Sequence, residues 1–316
     1  MLKLSKESNL KRVLDSGQFA LTGELGPMMG TNLEECLEHA EHNRNHVDAF
    51  NITDNQTAVV RIPSLVTAIR LRDRGIDPVM QMTVRDRNRI MLQADILGAG
   101  ACGVKNILCI QGDHQTLGSE PQARGVYDLD STQLMHCIKT MRDENKFISG
   151  GDLEAPLENV FIGGVVNPFA DPFEYRVDRF EKKINAGVQF VQTQCIYDMD
   201  RLKEYMKRVV DRGLHERCYI MAGITPLKAI GAAMYMKNSV AGIIIPDEIV
   251  KRLKGAKEKP GGIKEEGLKI AVEQIQQCME IEGFSGAHIM AIAWEEKVPE
   301  IVERVGGLLP RPKFDD

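Results

Sequence analysis

Eight short apolar runs, each followed by a stretch of helical spacing, constrain the fold of this chain more than any other feature. The runs cover residues 18–24, 48–52, 78–83, 105–110, 159–165, 189–193, 217–222 and 286–291. Helical patterns cover 33–43, 63–74, 87–101, 130–143, 173–186, 199–212, 227–237 with 246–255, and 263–282, and a last one covers 296–305. A strand followed by a helix, eight times over, is what a closed parallel barrel needs, because each parallel pair requires a crossover. The runs are continuous rather than alternating, as expected where both faces of a sheet are buried. The spacing predicts one α/β domain over residues 1–316, a (β/α)8 TIM barrel, a fold that takes about 250 residues. Within helix 87–101 the apolar residues Ile90, Met91, Ala94, Ile96, Leu97 and Ala101 are expected to form one broad core face.

In such a barrel, chemistry sits at the carboxyl ends of the strands. Those ends are polar here. The first closes on Glu24, the second on Thr53-Asp54-Asn55, and the third on Thr83 with Arg85 to Asn88. The fourth reads Ile107-Leu108-Cys109-Ile110-Gln111-Gly112-Asp113, where Gly112 permits a tight turn and Asp113 follows at once. The fifth ends on Asn167-Pro168 and the sixth on Gln192-Thr193-Gln194. Residues 112–129, with Gly118, Pro121 and Gly125, fall on the same end as a candidate ligand loop, and 144–158 on the opposite end. Carboxylates and amides make up the machinery, suited to a nitrogen-rich heterocycle with both donors and acceptors.

Other classes are disfavoured. A net charge of −5 lacks the basic footprint of a nucleic-acid partner. Seven scattered cysteines with no Cys-x-x-Cys pair fit no closed disulfide framework, so reduced thiols of a cytoplasmic protein are expected. The seven histidines show no zinc spacing, so no metal is expected. Neither a secretory leader in residues 1–10 nor a run long enough for a membrane span is expected. The tail 310–316 reads as irregular.

Five segments, in order, carry a resemblance. They are Thr22-Gly23-Glu24-Leu25-Gly26-Pro27, Met82 to Arg89, Asn106 to Asp113, Val166-Asn167-Pro168, and Lys183-Ile184-Asn185-Ala186-Gly187 with Thr193-Gln194. Together they resemble the methylenetetrahydrofolate reductase family, a family of flavin-binding (β/α)8 barrels. The resemblance implies reduction of 5,10-methylenetetrahydrofolate to 5-methyltetrahydrofolate by hydride transfer from reduced flavin to a folate iminium. Glu24, shielded by Leu21, Leu25 and Pro27, would be the general acid. Asp113 would stabilise the cation and bind the pterin edge, Gln194 would bind the pterin, and Tyr235 would stack on substrate. Thr53, Gln81, Gln111, Gly112, Asp113, Tyr127, Asp130, Asn167 and Lys183 would contact the flavin, FAD with FMN as the alternative.

The same residues have plainer readings. Glu24 can be structural, Asp113 a turn former, Gln194 a backbone partner, Tyr235 core, Lys183 a solvated helix lysine, and Arg85, Arg87 and Arg89 surface charge rather than phosphate ligands. The chain also departs from the family pattern. Trp294 stands where NADH-using bacterial members carry arginine, Gln81 and Gln111 replace a histidine and an arginine, and Arg176 falls near an acidic flavin contact. The electron donor is thus NADH or a partner electron-transfer subunit, and an oligomer or hetero-complex is expected. Two other readings remain open: a folate-binding methyl-transfer subunit without flavin, and an electron-relay flavoprotein subunit of a larger complex.

Overall fold

Residues two apart on a strand share a face, so a closed sheet sorts each strand's side chains into an inner and an outer set. The computed structural model of the chain describes residues 7–240 and 242–314. Residues 1–6 of the leader reading and 315–316 of the tail reading lie outside the described residues. Eight strands, β1 (Ala20–Leu25), β2 (Ala49–Ile52), β3 (Pro78–Thr83), β4 (Asn106–Ile110), β5 (Phe161–Val166), β6 (Phe190–Cys195), β7 (Tyr219–Ile224) and β8 (Phe284–Ile289), pair in chain order into a closed barrel. Every pair is parallel, and β8 closes on β1 with Thr22 opposite His288. The expected (β/α)8 barrel is therefore present.

Helices α1 (Asn9–Asp15), α2 (Glu34–Asn43), α3 (Ser64–Arg72), α4 (Arg89–Ala101), α5 (Ser131–Asp143) and α6 (Tyr175–Asn185) occupy the first part of the chain. They are followed by α7 (Met199–Asp211), α8 (Ile230–Ser239), α9 (Asp247–Gly255), α10 (Gly262–Glu280) and α11 (Val298–Val305). Leu21 and Leu25 of β1 face outward into the main core beneath the helices. Inward-facing Ala20, Ala49, Val79, Leu108, Phe161, Phe190 and Met221 form an apolar floor. Phe161 and Phe190 stack there with ring centroids 4.7 Å apart.

Helix α1, which the apolar pattern did not reveal, plugs that floor with Leu10, Val13 and Leu14. Half-buried Asp77 pins it, accepting hydrogen bonds from Leu10 N at 2.9 Å and Ser8 Oγ at 3.1 Å, and from Asn106 Nδ2 at 3.0 Å. Burial pushes the Asp77 carboxyl up to about 6. The C-terminal segment is strapped nearby, where buried Arg311 donates to Asp48 at 3.0 and 2.5 Å.

Helix α4 corrects the sequence reading. Leu92, Gln93, Ile96 and Ala99 are its buried residues. Ile90 and Met91 are 71% and 50% exposed, and Leu97 is exposed as well. The helix is apolar on two sides, so spacing alone selects the wrong face. Strand β8 begins and ends two residues before the predicted 286–291. Among the described residues no helix is long and apolar enough to cross a membrane. No group of three or more metal-type side chains is gathered among them. All seven cysteines are free thiols.

Candidate functional site

Above the apolar floor the inward row turns polar, because Thr22, Asn51, Gln192 and His288 occupy the next inward positions on β1, β2, β6 and β8. All four are nearly or fully buried. Buried polar groups are tolerated only when paired, and here they pair with one another. Asn51 and Gln192 exchange two amide hydrogen bonds of 2.6 and 3.0 Å. Gln192 Nε2 donates to Thr22 Oγ1 at 3.3 Å, and Thr22 Oγ1 lies 2.9 Å from His288 Nδ1. The other ring nitrogen of His288 faces Glu24, with Nε2 to Oε2 at 3.5 Å. Glu24 is thus the top of a polar column running up the barrel interior, and its side chain keeps 13% exposure.

The column opens into a cleft of about 480 Å³ at the carboxyl ends of the strands. That volume lies within the ordinary range of small-molecule sites. Glu24, Gln81, Gln111, Asn167, Lys183 and Gln194, six of the residues singled out by sequence, all line it. Gln194 Oε1 accepts from Cys195 N at 2.9 Å, which orients the side chain on the cleft wall. Asn167 donates to Gly242 O at 3.0 Å and accepts from Phe169 N at 2.9 Å, so its side chain also organises the rim.

Lys183 is not a solvated helix lysine. It is 8% exposed, and its Nζ donates to Val165 O at 2.5 Å. Burial, with Arg179 nearby, depresses it to about 8. Arg176, Arg179 and Lys183 recur at positions i, i+3 and i+7 on α6, so they share one face, and all three line the cleft. This cationic wall suits a phosphate-bearing ligand. Arg179 was missed by sequence reasoning, though its spacing to Lys183 was legible.

Thr53, two residues beyond Asn51 on the inward row, is buried and its hydroxyl has no partner in the protein. Thr53 is not among the residues that line the cleft, but an orphaned buried hydroxyl just beyond a strand end can still take a bound group as partner. Gly112 has φ +82°, and a Cβ there would sit 3.2 Å from Cβ of both Arg85 and Thr83. The turn after β4 therefore needs glycine. Asp113 follows it, exposed, with its carbonyl held by Arg85 Nη1 at 2.9 Å. Arg85 O accepts from Val126 N at 2.7 Å, so one buried arginine ties both ends of the 112–129 loop. That loop lies at the cleft end of the barrel, as its position after β4 predicts.

Tyr127 is half-buried with φ +44° and packs on the main core. Asp130 caps α5, accepting from Gln133 N at 2.7 Å in a reciprocal capping box. Tyr235 lies on α8, 63% exposed and off the cleft wall. The arginines of the third strand end are bound to carboxylates: Arg85 to Asp86, Arg87 to Asp54 and Asp95, and Arg89 to Asp128. Trp294 is 6% exposed and belongs to the core.

Comparison with known proteins agrees with this architecture. Methylenetetrahydrofolate reductase 1 of Schizosaccharomyces pombe is 24% identical over 248 residues, covering 77% of this chain and 38% of that protein. Methylenetetrahydrofolate reductase (NADH) 1 of Arabidopsis thaliana is 22% identical over 302 residues, covering 94% of this chain and 50% of that protein. The chain thus spans half or less of these relatives' length. An uncharacterized Clostridium thermocellum protein, solved with two copies of 5-methyl-5,6,7,8-tetrahydrofolic acid, shares the fold with a TM-score of 0.63 at 15% identity, covering 94% of this chain and 97% of that one. A family profile described as methylenetetrahydrofolate reductase matches residues 9–306, and with nearly the whole chain matched the protein belongs to the methylenetetrahydrofolate reductase family.

Proposed function

We propose that this chain reduces the methylene bridge of 5,10-methylenetetrahydrofolate to the methyl group of 5-methyltetrahydrofolate. The observation that carries the reading is the placement of Glu24 and Gln194 on one cleft, with the cationic wall of α6 lining the same space. The bound folate of the Clostridium thermocellum neighbour supports it.

Opening the five-membered ring of the substrate leaves an amine that must gain a proton and a carbon that is a cationic iminium. Glu24 delivers the proton, oriented by His288 behind it. Asp113 lies on the loop above and supplies negative charge that favours the iminium and accepts hydrogen bonds from the pterin amino edge. Gln194 offers its amide to the pterin, and Tyr235 stacks on the substrate once α8 and the ligand meet. A flavin, FAD with FMN as the alternative, supplies the hydride when bound. The buried Thr53 hydroxyl without a partner, the glycine-only turn at Gly112 and the buried Lys183 fit such a group. Thr53, Gln81, Gln111, Gly112, Asp113, Tyr127, Asp130, Asn167 and Lys183 would hold it. Electrons come from NADH or from a partner electron-transfer subunit docked at the cleft end.

Anaerobic mixing of the flavin-reduced protein with methylenetetrahydrofolate tests the reading. Formation of 5-methyltetrahydrofolate is expected, and its absence with flavin bound and reduced would remove the proposal.

A further inference from the structure

The polar column beneath Glu24 has a direction, which the amide pair at its base sets. We infer that Asn51 and Gln192 are positioning residues that hold His288 as its Nε2–H tautomer, so that a hydrogen, not a lone pair, faces Glu24. The catalytic consequence rests on the reductase reading above; the tautomer does not.

Gln192 Oε1 accepts from Asn51 Nδ2 at 2.6 Å, and Gln192 Nε2 donates to Asn51 Oδ1 at 3.0 Å. The second hydrogen of that Nε2 is directed at Thr22 Oγ1, 3.3 Å away. A hydroxyl that accepts there still has one hydrogen to give, and the group beside it is His288 Nδ1 at 2.9 Å. A neutral imidazole that accepts at Nδ1 carries its hydrogen on Nε2. That nitrogen lies 3.5 Å from Glu24 Oε2. Turning both amides over would keep their mutual pairing but reverse every later bond. Thr22 would then donate to Gln192, Nδ1–H would donate to Thr22, and a bare Nε2 lone pair would face the Glu24 carboxylate. The amides stand in the first arrangement, with Gln192 Nε2 and not Oε1 toward Thr22 Oγ1, and in it every link from Asn51 to Nδ1 of His288 has one donor and one acceptor. Asn51, Thr22, Gln192 and His288 are 0%, 0%, 2% and 3% exposed, so water is a poor substitute for any link.

The function follows from the direction. After Glu24 has given up its proton, the Nε2–H of His288 stands beside the new carboxylate and holds it in the position from which it acted. Losing the amide at residue 192 leaves Thr22 free to accept from Nδ1–H. The ring then samples both tautomers, and Glu24 is presented in the correct state only part of the time.

The test is nitrogen-15 NMR of histidine-labelled protein at pH 8 without substrate, with the His288 signals identified by their loss in His288→Gln. A proton on Nε2 and a bare Nδ1 are expected in the unaltered chain. In Gln192→Met, similar in volume and without the donor, the Nε2–H share should fall to a mixture, and kcat for folate should fall about tenfold, a fraction of what a general acid supplies. A proton on Nδ1 in the unaltered chain would overturn the inference without any variant having to fold. So would an unchanged tautomer in a folded Gln192→Met protein. Because the tautomer is read without substrate, its result is separate from whether the chain reduces folate.

Discussion

Replacing Glu24 by glutamine separates proton delivery from structure. The side chain keeps its length and volume, and it can still turn an oxygen toward His288 Nε2, now 3.5 Å from the carboxylate. The contact is a hydrogen bond from a neutral imidazole, worth about 0.5–1.5 kcal/mol, and glutamine keeps an oxygen to accept it. The folded state and the cleft should therefore survive, with flavin content unchanged. What glutamine cannot do is release a proton to the opening amine. General acid catalysis is worth roughly 10² to 10⁴ in rate, or about 3–5 kcal/mol of barrier. Stopped-flow oxidation of the reduced flavin by methylenetetrahydrofolate should slow by that factor in Glu24→Gln. A loss below about tenfold in a folded, flavin-loaded variant would refute the assignment of Glu24 as the acid.

Substitutions at four further positions test the same geometry. Lys183→Met should weaken flavin binding by roughly tenfold or more, the worth of one charge-assisted hydrogen bond, read by fluorescence titration. Lys183 is depressed to about 8 from 10.5, so the folded chain sheds this proton before the unfolded chain does; its contribution to stability therefore rises between pH 8 and 10.5, while flavin affinity falls above pH 8, and both dependences should vanish in the variant. Asp77 is raised to about 6 from 3.8, so the folded chain keeps that proton longer, and stability should decline as pH rises from about 4 to 6, a slope that denaturant titrations of Asp77→Asn should find flattened. Phe190→Ala, which opens the floor beside Phe161, should cost about 3–5 kcal/mol by chemical denaturation. Gly112→Ala, forced to φ +82° against Thr83 and Arg85, should cost about 1–3 kcal/mol and loosen the loop that carries Asp113, seen as faster proteolysis within 112–129.

The barrel was legible because parallel strands buried on both faces leave unbroken apolar runs, and each run here lies within a few residues of an observed strand. The strand ends were legible too, since polar residues that close an apolar run have few places to go but the cleft. Glu24, Gln81, Gln111, Asn167 and Gln194 line it for that reason, and Lys183 reaches it from α6. What spacing could not reveal is what pairs across the barrel. Thr22 and His288 are 266 residues apart in the chain and 2.9 Å apart in space, and nothing local marks either as a partner of Glu24. No other histidine lies in the 286–291 run beside His288. Helix α1 escaped because it is short and packs into the floor rather than along the sheet. Helix α4 misled because Ile90, Met91 and Leu97 satisfy a helical apolar pattern while facing outward. For Lys183 the plainer solvated reading stayed open beside the flavin contact, because only the folded barrel places Val165 O against its ammonium group.

The central claim, a flavin-bearing cleft that reduces folate, is tested most directly by one spectrum. The purified chain, reconstituted with FAD or FMN and photoreduced without oxygen, is mixed with methylenetetrahydrofolate while flavin absorbance is followed. Recovery of the oxidised flavin spectrum together with 5-methyltetrahydrofolate is the predicted result. Failure to bind either flavin would contradict it and favour a folate-binding methyl-transfer protein, and a reduced flavin that the folate leaves reduced would contradict the proposed hydride acceptor.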